Sequence, residues 1–285
     1  MRSISLRAFA KINLGLEVLG MRKDGYHEIK TIFQSVNLWD SIYIEEIEKG
    51  IYLAGNSQKI PWDRSNLIFK ACEIFLDTFR IKKGVRIYIK KRIPPGKGLG
   101  GGSSNAASVL VGLKKMWGIP GDNSILLPIS KSLGADVPYF LCGGTALGTG
   151  TGASITPLED IKNLWAFLIF PDICLSTSFV YSNLLLTFQT KESNINRFLR
   201  NKDLSSLEND LEKVSLEIHP DLKYIKKFLK EEGAKLVLMS GSGSSIFGIF
   251  KEYSEAKKTA KKIENMDFKI AKFIERKYYW KYLWN

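Results

Sequence analysis

Five of the seven residues from 96 to 102 are glycine, within Pro94-Pro95-Gly96-Lys97-Gly98-Leu99-Gly100-Gly101-Gly102-Ser103-Ser104-Asn105. A proline pair bounds the run on one side, and two serines opening an apolar helical pattern bound it on the other. That is more than loop punctuation requires. Without a Cβ, backbone N–H groups can close around a ligand at positive φ. The helix that follows offers unpaired N–H groups and the positive end of its dipole to the same point. A segment of this kind suits a polyphosphate.

Three readings of the loop are available. No Gly-Lys-Ser/Thr closes it, which excludes a Walker A loop. Gly96-x-Gly98-x-x-Gly101 satisfies the dinucleotide fingerprint, and the strand-like run Val85–Lys90 precedes it. The proline pair interrupts that passage, however, and the acid at the right distance, Asp122, lies in a turn. The third reading is a glycine-rich turn with a capped helix behind it.

The chain has 285 residues, enough for one large domain or two ordinary ones. The longest wholly apolar run, Leu164–Phe170, is far short of a membrane span. The N-terminus leads directly into a strand pattern and has no apolar leader core. Cys72, Cys142 and Cys174 are widely spaced and lie in no CxxC, as expected of reduced thiols in a cytoplasmic protein. The formal net charge is +13, and residues 251–285 carry ten Lys/Arg against five Asp/Glu. No RNA- or DNA-recognition motif accompanies the charge, so a solvated basic surface is expected, with no nucleic-acid partner and no membrane.

Ile12, Leu14, Leu16 and Val18 alternate with the period of a strand, which places Lys11, Asn13, Gly15 and Glu17 on its other face. Asp24-Gly25 signals a turn, and Ser41–Ile47 a further strand. Ser65 is expected to cap a helix with Ile68, Cys72, Phe75, Leu76 and Phe79 on one face. The helix after the glycines buries Ala106, Val109, Leu110, Leu113 and Trp117 and ends at Gly118. Residues 122–133 read as a helix kinked at Pro128. Strands are expected near 145–148, 164–170, 235–239, 246–250 and 269–275. Helices are expected over 177–186, 195–200, 204–216, 221–231 and 255–265. Unequal blocks of strand and helix predict an α+β fold of two domains, 1–157 and 158–285.

Phosphoryl transfer needs a phosphate cradle, a means of neutralising charge, and a base for the attacking hydroxyl. Asp136, in Gly134-Ala135-Asp136-Val137-Pro138, follows a helix and precedes an X-Pro step, a rigid place for a carboxylate. Lys11 shares a strand face with Asn13; near Asp136 it would stabilise both that carboxylate and an emerging alkoxide. The alternatives are a turn aspartate and a solvent-facing lysine. His27 follows the Asp24-Gly25 turn and could donate to a base or sugar, or simply be surface. The loop Ser240-Gly241-Ser242-Gly243-Ser244-Ser245 reads as a tight hairpin or as a second wall of a phosphate site. With only His27 and His219, a zinc centre has no ligand cluster.

These segments together resemble the GHMP small-molecule kinases: Ala10–Leu14, Asp24–His27, Ser65–Ile68, Pro94–Ala107, Gly134–Pro138 and Ser240–Ser244. Lys11-x-Asn13 with Gly25-Tyr26-His27 is similar to the branch that phosphorylates a cytidine-diphosphate-linked sugar alcohol. The resemblance implies an N-terminal domain like the second domain of ribosomal protein S5 and a ferredoxin-like C-terminal domain. It implies ATP as phosphoryl donor and Mg²⁺, with metal ligands unassigned beyond an oxygen from Ser103 or Ser104. Asp136 would be the general base and Lys11 its electrostatic partner. Asn66 would lie near the adenine, while Pro94, Gly96, Gly98, Leu99, Gly100, Gly101, Gly102, Ser103 and Ser104 would wrap the ATP phosphates. Asn13 would contact the alcohol, Tyr26 and His27 the cytosine, and Tyr181 the other side of that base. The resemblance leaves the role of Lys97 open and allows it to vary. The implied assembly is a monomer or weak homodimer.

Overall fold

A computed structural model of the chain describes residues 2–184 and 193–284. The first two strands, β1 (Ser3–Met21) and β2 (His27–Ile47), form one long antiparallel hairpin. Gly25 turns the chain between them at φ +83°, a conformation glycine adopts without steric cost. β1 runs along one edge of β2. The other edge carries β5 (Thr145–Gly150) at Ile29–Gln34 and β4 (Gly84–Lys90) at Ser41–Ile47. β3 (Ile51–Gly55) adds to β4, and β6 (Ser154–Pro157) to β5, completing a six-stranded sheet.

Two helices, α1 (Leu67–Thr78) and α2 (Gly101–Met116), cover one face of this sheet. Their apolar stripes, among them Ala71, Phe75, Ala106 and Leu110, share a core with Ile42, Ile44, Ile87 and Ile89. The cap of α1 is Asn66 rather than the expected Ser65. Asn66 Oδ1 accepts from Ile68 N at 2.9 Å, while the Ser65 hydroxyl bonds Asp63 instead. Pro128 does not kink a helix; it sits in the first turn of α3 (Leu127–Leu133), where its missing N–H costs nothing. The expected helix 122–133 is accordingly split into a 3₁₀ turn, Asn123–Leu126, and α3. α4 (Val137–Phe140) follows.

The second sheet contains β7 (Trp165–Phe170), β8 (Leu236–Met239), β9 (Ile246–Phe250) and β10 (Asp267–Lys272), all antiparallel. Its spatial order, β10-β7-β9-β8, is fourth, first, third, second. With helices between β7 and β8 and between β9 and β10, this is the ferredoxin-like split βαβ arrangement. The helices of the first connection are α5 (Thr177–Ser182), α6 (Asn194–Asn201), α7 (Asp210–Ile218) and α8 (Leu222–Glu231); α9 (Tyr253–Ala260) lies in the second. The expected helix 177–186 ends at Ser182, and residues 185 and 186 lie outside the described residues. The expected helix 204–216 is broken at Asn209, whose side chain caps α7 through Leu211 N at 3.1 Å.

The two sheets meet through a shared apolar layer, with Ala10, Ile12 and Leu14 on one side and Leu168, Phe247 and Ile249 on the other. Last comes α10 (Arg276–Leu283), which the alternation of the chain's end did not reveal. It returns to the first sheet, burying Tyr279 and Leu283 against the core that holds Leu6 and Phe9. Among the described residues no helix is long and apolar enough to cross a membrane.

Candidate active site

Ile12 and Leu14 face the second sheet, so Lys11 and Asn13 must face the other way. That side is not solvent. It is the floor of a cavity of about 700 Å³ walled by the Gly25–His27 turn, the glycine loop, Asp136, α5 and Gly241-Ser242. Lys11 is only 3 % exposed and Asn13 2 %. A bulge between Asn13 and Gly15 re-aims the strand at this point.

Lys11 Nζ lies 3.3 Å from Oδ2 of Asp136 and donates to Asn13 Oδ1 at 2.6 Å. The Asn13 amide in turn donates to Thr31 Oγ1 at 2.9 Å, and the Thr31 hydroxyl to Gly15 O at 2.7 Å. Each group below Lys11 therefore has a partner that holds it, while the Asp136 side chain stays 35 % exposed toward the cavity. The arrangement presents a carboxylate free to take a proton beside an ammonium that cannot swing away.

The glycine loop reaches this floor through its backbone. Lys11 N donates to Leu99 O at 3.1 Å, and Leu99 itself is buried in the layer between the sheets. Gly98, at φ +72°, packs so tightly that a Cβ would stand 2.1 Å from Ser240 O. Ser240 Oγ donates to Gly98 O at 2.8 Å and accepts from Asn13 N at 3.3 Å. The Ser240–Ser245 segment is thus a second wall of the cavity as well as a turn. Gly100 caps α2 in the left-handed region with no side-chain partner, and no acid stands in the first helical turn. An uncapped helix start of this kind attracts an anion.

The nominated loop residues divide. Gly98, Gly100 and Ser103 line the cavity. The Ser104 hydroxyl is buried and donates to Phe9 O at 2.6 Å, so it is turned away from any phosphate. Lys97 also points away, donating to Pro171 O at 2.6 Å, Ile173 O at 2.7 Å and Ser244 Oγ at 3.2 Å. Far from being free to vary, it ties the loop to the second sheet. Asn66 does not line the cavity, and its amide is engaged at both ends, by Ile68 N and by Pro61 O.

At the far end the His27 and Tyr181 rings touch, with centroids 4.9 Å apart. A base sandwiched between two rings needs them about 7 Å apart, twice the carbon contact distance. These two rings therefore hold nothing between them as they stand. Tyr26 projects at the mouth, 66 % exposed. Burial, aided by the charge of Asp136, pushes the Tyr181 phenol up to about 12. Thr31 was not nominated from the sequence, and Ser240 only as part of the Ser240–Ser245 loop. Thr31 carried no signal of its own, because the stretch of β2 around it is buried on both faces and shows no alternation.

Among the described residues no three His, Cys, Asp or Glu side chains cluster as a metal cage. Residues 66–144 match the N-terminal domain of GHMP kinases and residues 189–267 the C-terminal domain. The chain is 40% identical over 265 residues to the 4-diphosphocytidyl-2-C-methyl-D-erythritol kinase of Alkaliphilus metalliredigens, covering 90% of this chain and 91% of that one. It is 43% identical over 272 residues to the enzyme of that name from Alkaliphilus oremlandii, with 90% and 91% covered. A crystal structure of 4-(cytidine 5'-diphospho)-2C-methyl-D-erythritol kinase superposes with a TM-score of 0.83 at 32% identity, covering 95% and 99%. A homoserine kinase structure from Cytophaga hutchinsonii shares the fold, with a TM-score of 0.77 at 20% identity and coverage of 97% and 96%.

Proposed function

The chain belongs to the GHMP kinases and, among them, to the 4-diphosphocytidyl-2-C-methyl-D-erythritol kinases, and from this we infer its reaction. It transfers the γ-phosphoryl group of ATP to the 2-hydroxyl of 4-diphosphocytidyl-2-C-methyl-D-erythritol, a step of the non-mevalonate route to isoprenoid precursors. The observation that carries the reading is the Lys11–Asp136 pair in the same cavity as the uncapped start of α2.

In this reading the first-turn N–H groups of α2, with Gly98, Gly100 and Ser103, bind the ATP phosphates. Asp136 accepts the proton of the 2-hydroxyl. Lys11 stabilises the alkoxide as it forms, held toward it by Asn13. Charge on the transferred group is countered without being covalently captured, as suits a loose phosphoryl transition state. The contact between His27 and Tyr181 leaves the exposed Tyr26 as the partner stacking across the cytosine from Tyr181, with His27 at the base's edge.

Mg²⁺ fits this site only as a companion of the nucleotide. It binds through substrate phosphates, waters and one or two protein oxygens, and needs no protein cage. Ser103 is the residue to hold it, because the Ser104 hydroxyl is spent on Phe9 O. Bound there it would neutralise phosphate charge. What supports a division near residue 157 is the end of β6 at Pro157 and the start of the second sheet at Trp165. The reading also has the protein act in the cytoplasm as a monomer or weak homodimer without nucleic acid; sedimentation tests the assembly.

The decisive experiment is ADP release across an alcohol panel, with the phosphorylated product located by phosphorus NMR. Turnover is expected with the cytidylyl alcohol alone. Strong turnover with homoserine or mevalonate, and none with the cytidylyl alcohol, would sink the assignment.

A further inference from the structure

Behind the glycine loop lies a buried charged cluster that the chemistry above does not use. Asp40, on β2, has no exposed surface. Its Oδ1 accepts from Arg92 N at 2.6 Å and Ile93 N at 2.9 Å. Its Oδ2 accepts from Asn105 Nδ2 at 2.9 Å and from Lys91 Nζ. Lys91 Nζ also donates to Asn105 Oδ1 at 3.0 Å, closing a triangle. Four donors satisfy the carboxylate, so its charge is fully used inside the fold.

The placement of those donors is informative. Arg92 and Ile93 are the last residues before Pro94, and Asn105 lies just beyond the loop, in the second turn of α2. Asp40 therefore grips the chain both where it enters the glycine loop and where it leaves. The cluster also lies against the first residue of α2: a Cβ on Gly101 would stand 3.0 Å from Ile93 Cγ2 and 3.3 Å from Lys91 Nζ. A buried ion pair is a poor stabiliser compared with well-packed apolar residues of the same size. What a carboxylate supplies and an apolar side chain cannot is directional acceptance from two loop stems at once.

We propose that Asp40, with Lys91 and Asn105, is a positioning unit for the nucleotide phosphate cradle, setting the separation and tilt of the glycine loop's two stems. Five glycines leave that loop little stiffness of its own, so its N–H groups converge only if the ends are fixed from outside. The unit acts through the loop and touches no substrate. The inference rests on the kinase reading for the identity of the nucleotide.

The test measures binding of a non-hydrolysable ATP analogue by calorimetry, steady-state constants for both substrates, and the melting temperature. Asp40→Asn is expected to weaken analogue binding and raise the ATP KM by about tenfold or more, leaving the KM for the alcohol within about twofold. Its amide oxygen can still accept from Arg92 N and Ile93 N, but its NH₂ faces Lys91 and Asn105. The exchange Asp40→Asn/Asn105→Asp returns the carboxylate to the triangle and should restore analogue binding to within about threefold of wild type. If Asp40→Asn does not fold, Asn105→Ala, which removes one arm, is read the same way. A folded variant with a lower melting temperature but unchanged analogue binding overturns the proposal. So does equal damage to both substrates, or an exchange variant no better than Asp40→Asn. A wild type that binds the analogue but phosphorylates no cytidylyl alcohol defeats the functional reading and leaves this one standing.

Discussion

Lys11 and Asp136 meet at 3.3 Å, one from the middle of the first strand and the other from the turn between α3 and α4. Neither neighbourhood contains the other's chemistry, and both side chains line the same cavity.

If Asp136 takes the proton and Lys11 steadies the alkoxide, their loss should strike the chemical step. Asp136→Asn and Lys11→Ala are each expected to lower kcat by about 10²- to 10⁴-fold, with ATP-analogue affinity within about threefold of wild type. Near-normal turnover in Asp136→Asn removes it from the role of base.

The glycines are not equivalent. Gly98→Ala must place a methyl 2.1 Å from Ser240 O at φ +72°, and is expected to cost about 1–3 kcal/mol of stability by overpacking. A Cβ on Gly102 meets nothing within 4 Å, and its backbone is helical, so Gly102→Ala should melt at or slightly above the wild-type temperature. Thermal denaturation of the two variants side by side checks the contrast.

Tyr181 carries its own pH signature. Burial first, and the Asp136 charge second, push its phenol from 10 to about 12. The folded state then holds a proton that the unfolded chain releases. The stability this contributes is complete below about pH 10 and is lost as pH rises toward 12, amounting to about 2 kcal/mol across the window. Tyr181→Phe should flatten the fall in stability between those limits and leave the KM for the alcohol near wild type. Tyr181→Ala should raise that KM about tenfold by removing the stacking ring. A Tyr181→Phe profile as steep as wild type means that other groups govern the alkaline limb.

Lys97 looks like a phosphate ligand in a glycine loop, yet its three acceptors all belong to the segments after β7 and β8. Lys97→Met is expected to lower the unfolding free energy by about 2 kcal/mol, the scale of a charge-assisted hydrogen bond lost without replacement. Urea titration reads this directly. An unchanged midpoint shows the tie to be dispensable.

Much of the first sheet was legible because strict alternation, as at Ile12, Leu14, Leu16 and Val18, has one structural meaning. So was the start of α2, since glycines before an apolar helical pattern have few other uses. Less legible were the elements defined by partners. The N-terminal half of β2 is buried on both faces, so Ile32, Phe33, Gln34 and Ser35 show no alternation. α10 is rich in aromatic and basic residues, and only its packing against Phe9 makes its apolar face visible. The cap of α1 moved by one residue because Ser65 and Asn66 are both good caps, and Asp63 claims the serine.

At the site the division is sharper. Which residues can bind phosphate, take a proton or stack on a base is a property of side-chain chemistry and local backbone, and the amino-acid order alone nominated the glycine loop, Lys11, His27 and Asp136 for such roles. Which of them meet was decided by tertiary structure. A strand period says that Lys11 and Ile12 face opposite ways, but it does not say which face is covered. Packing of the second sheet on Ile12 and Leu14 turned Lys11 from a surface lysine into a buried partner of Asp136. The same long-range contacts made Lys97 a tie between domains and left Ser103 rather than Ser104 facing the cavity. Such pairings depend on loop closures over long stretches of chain, and no local pattern encodes where those closures bring the residues.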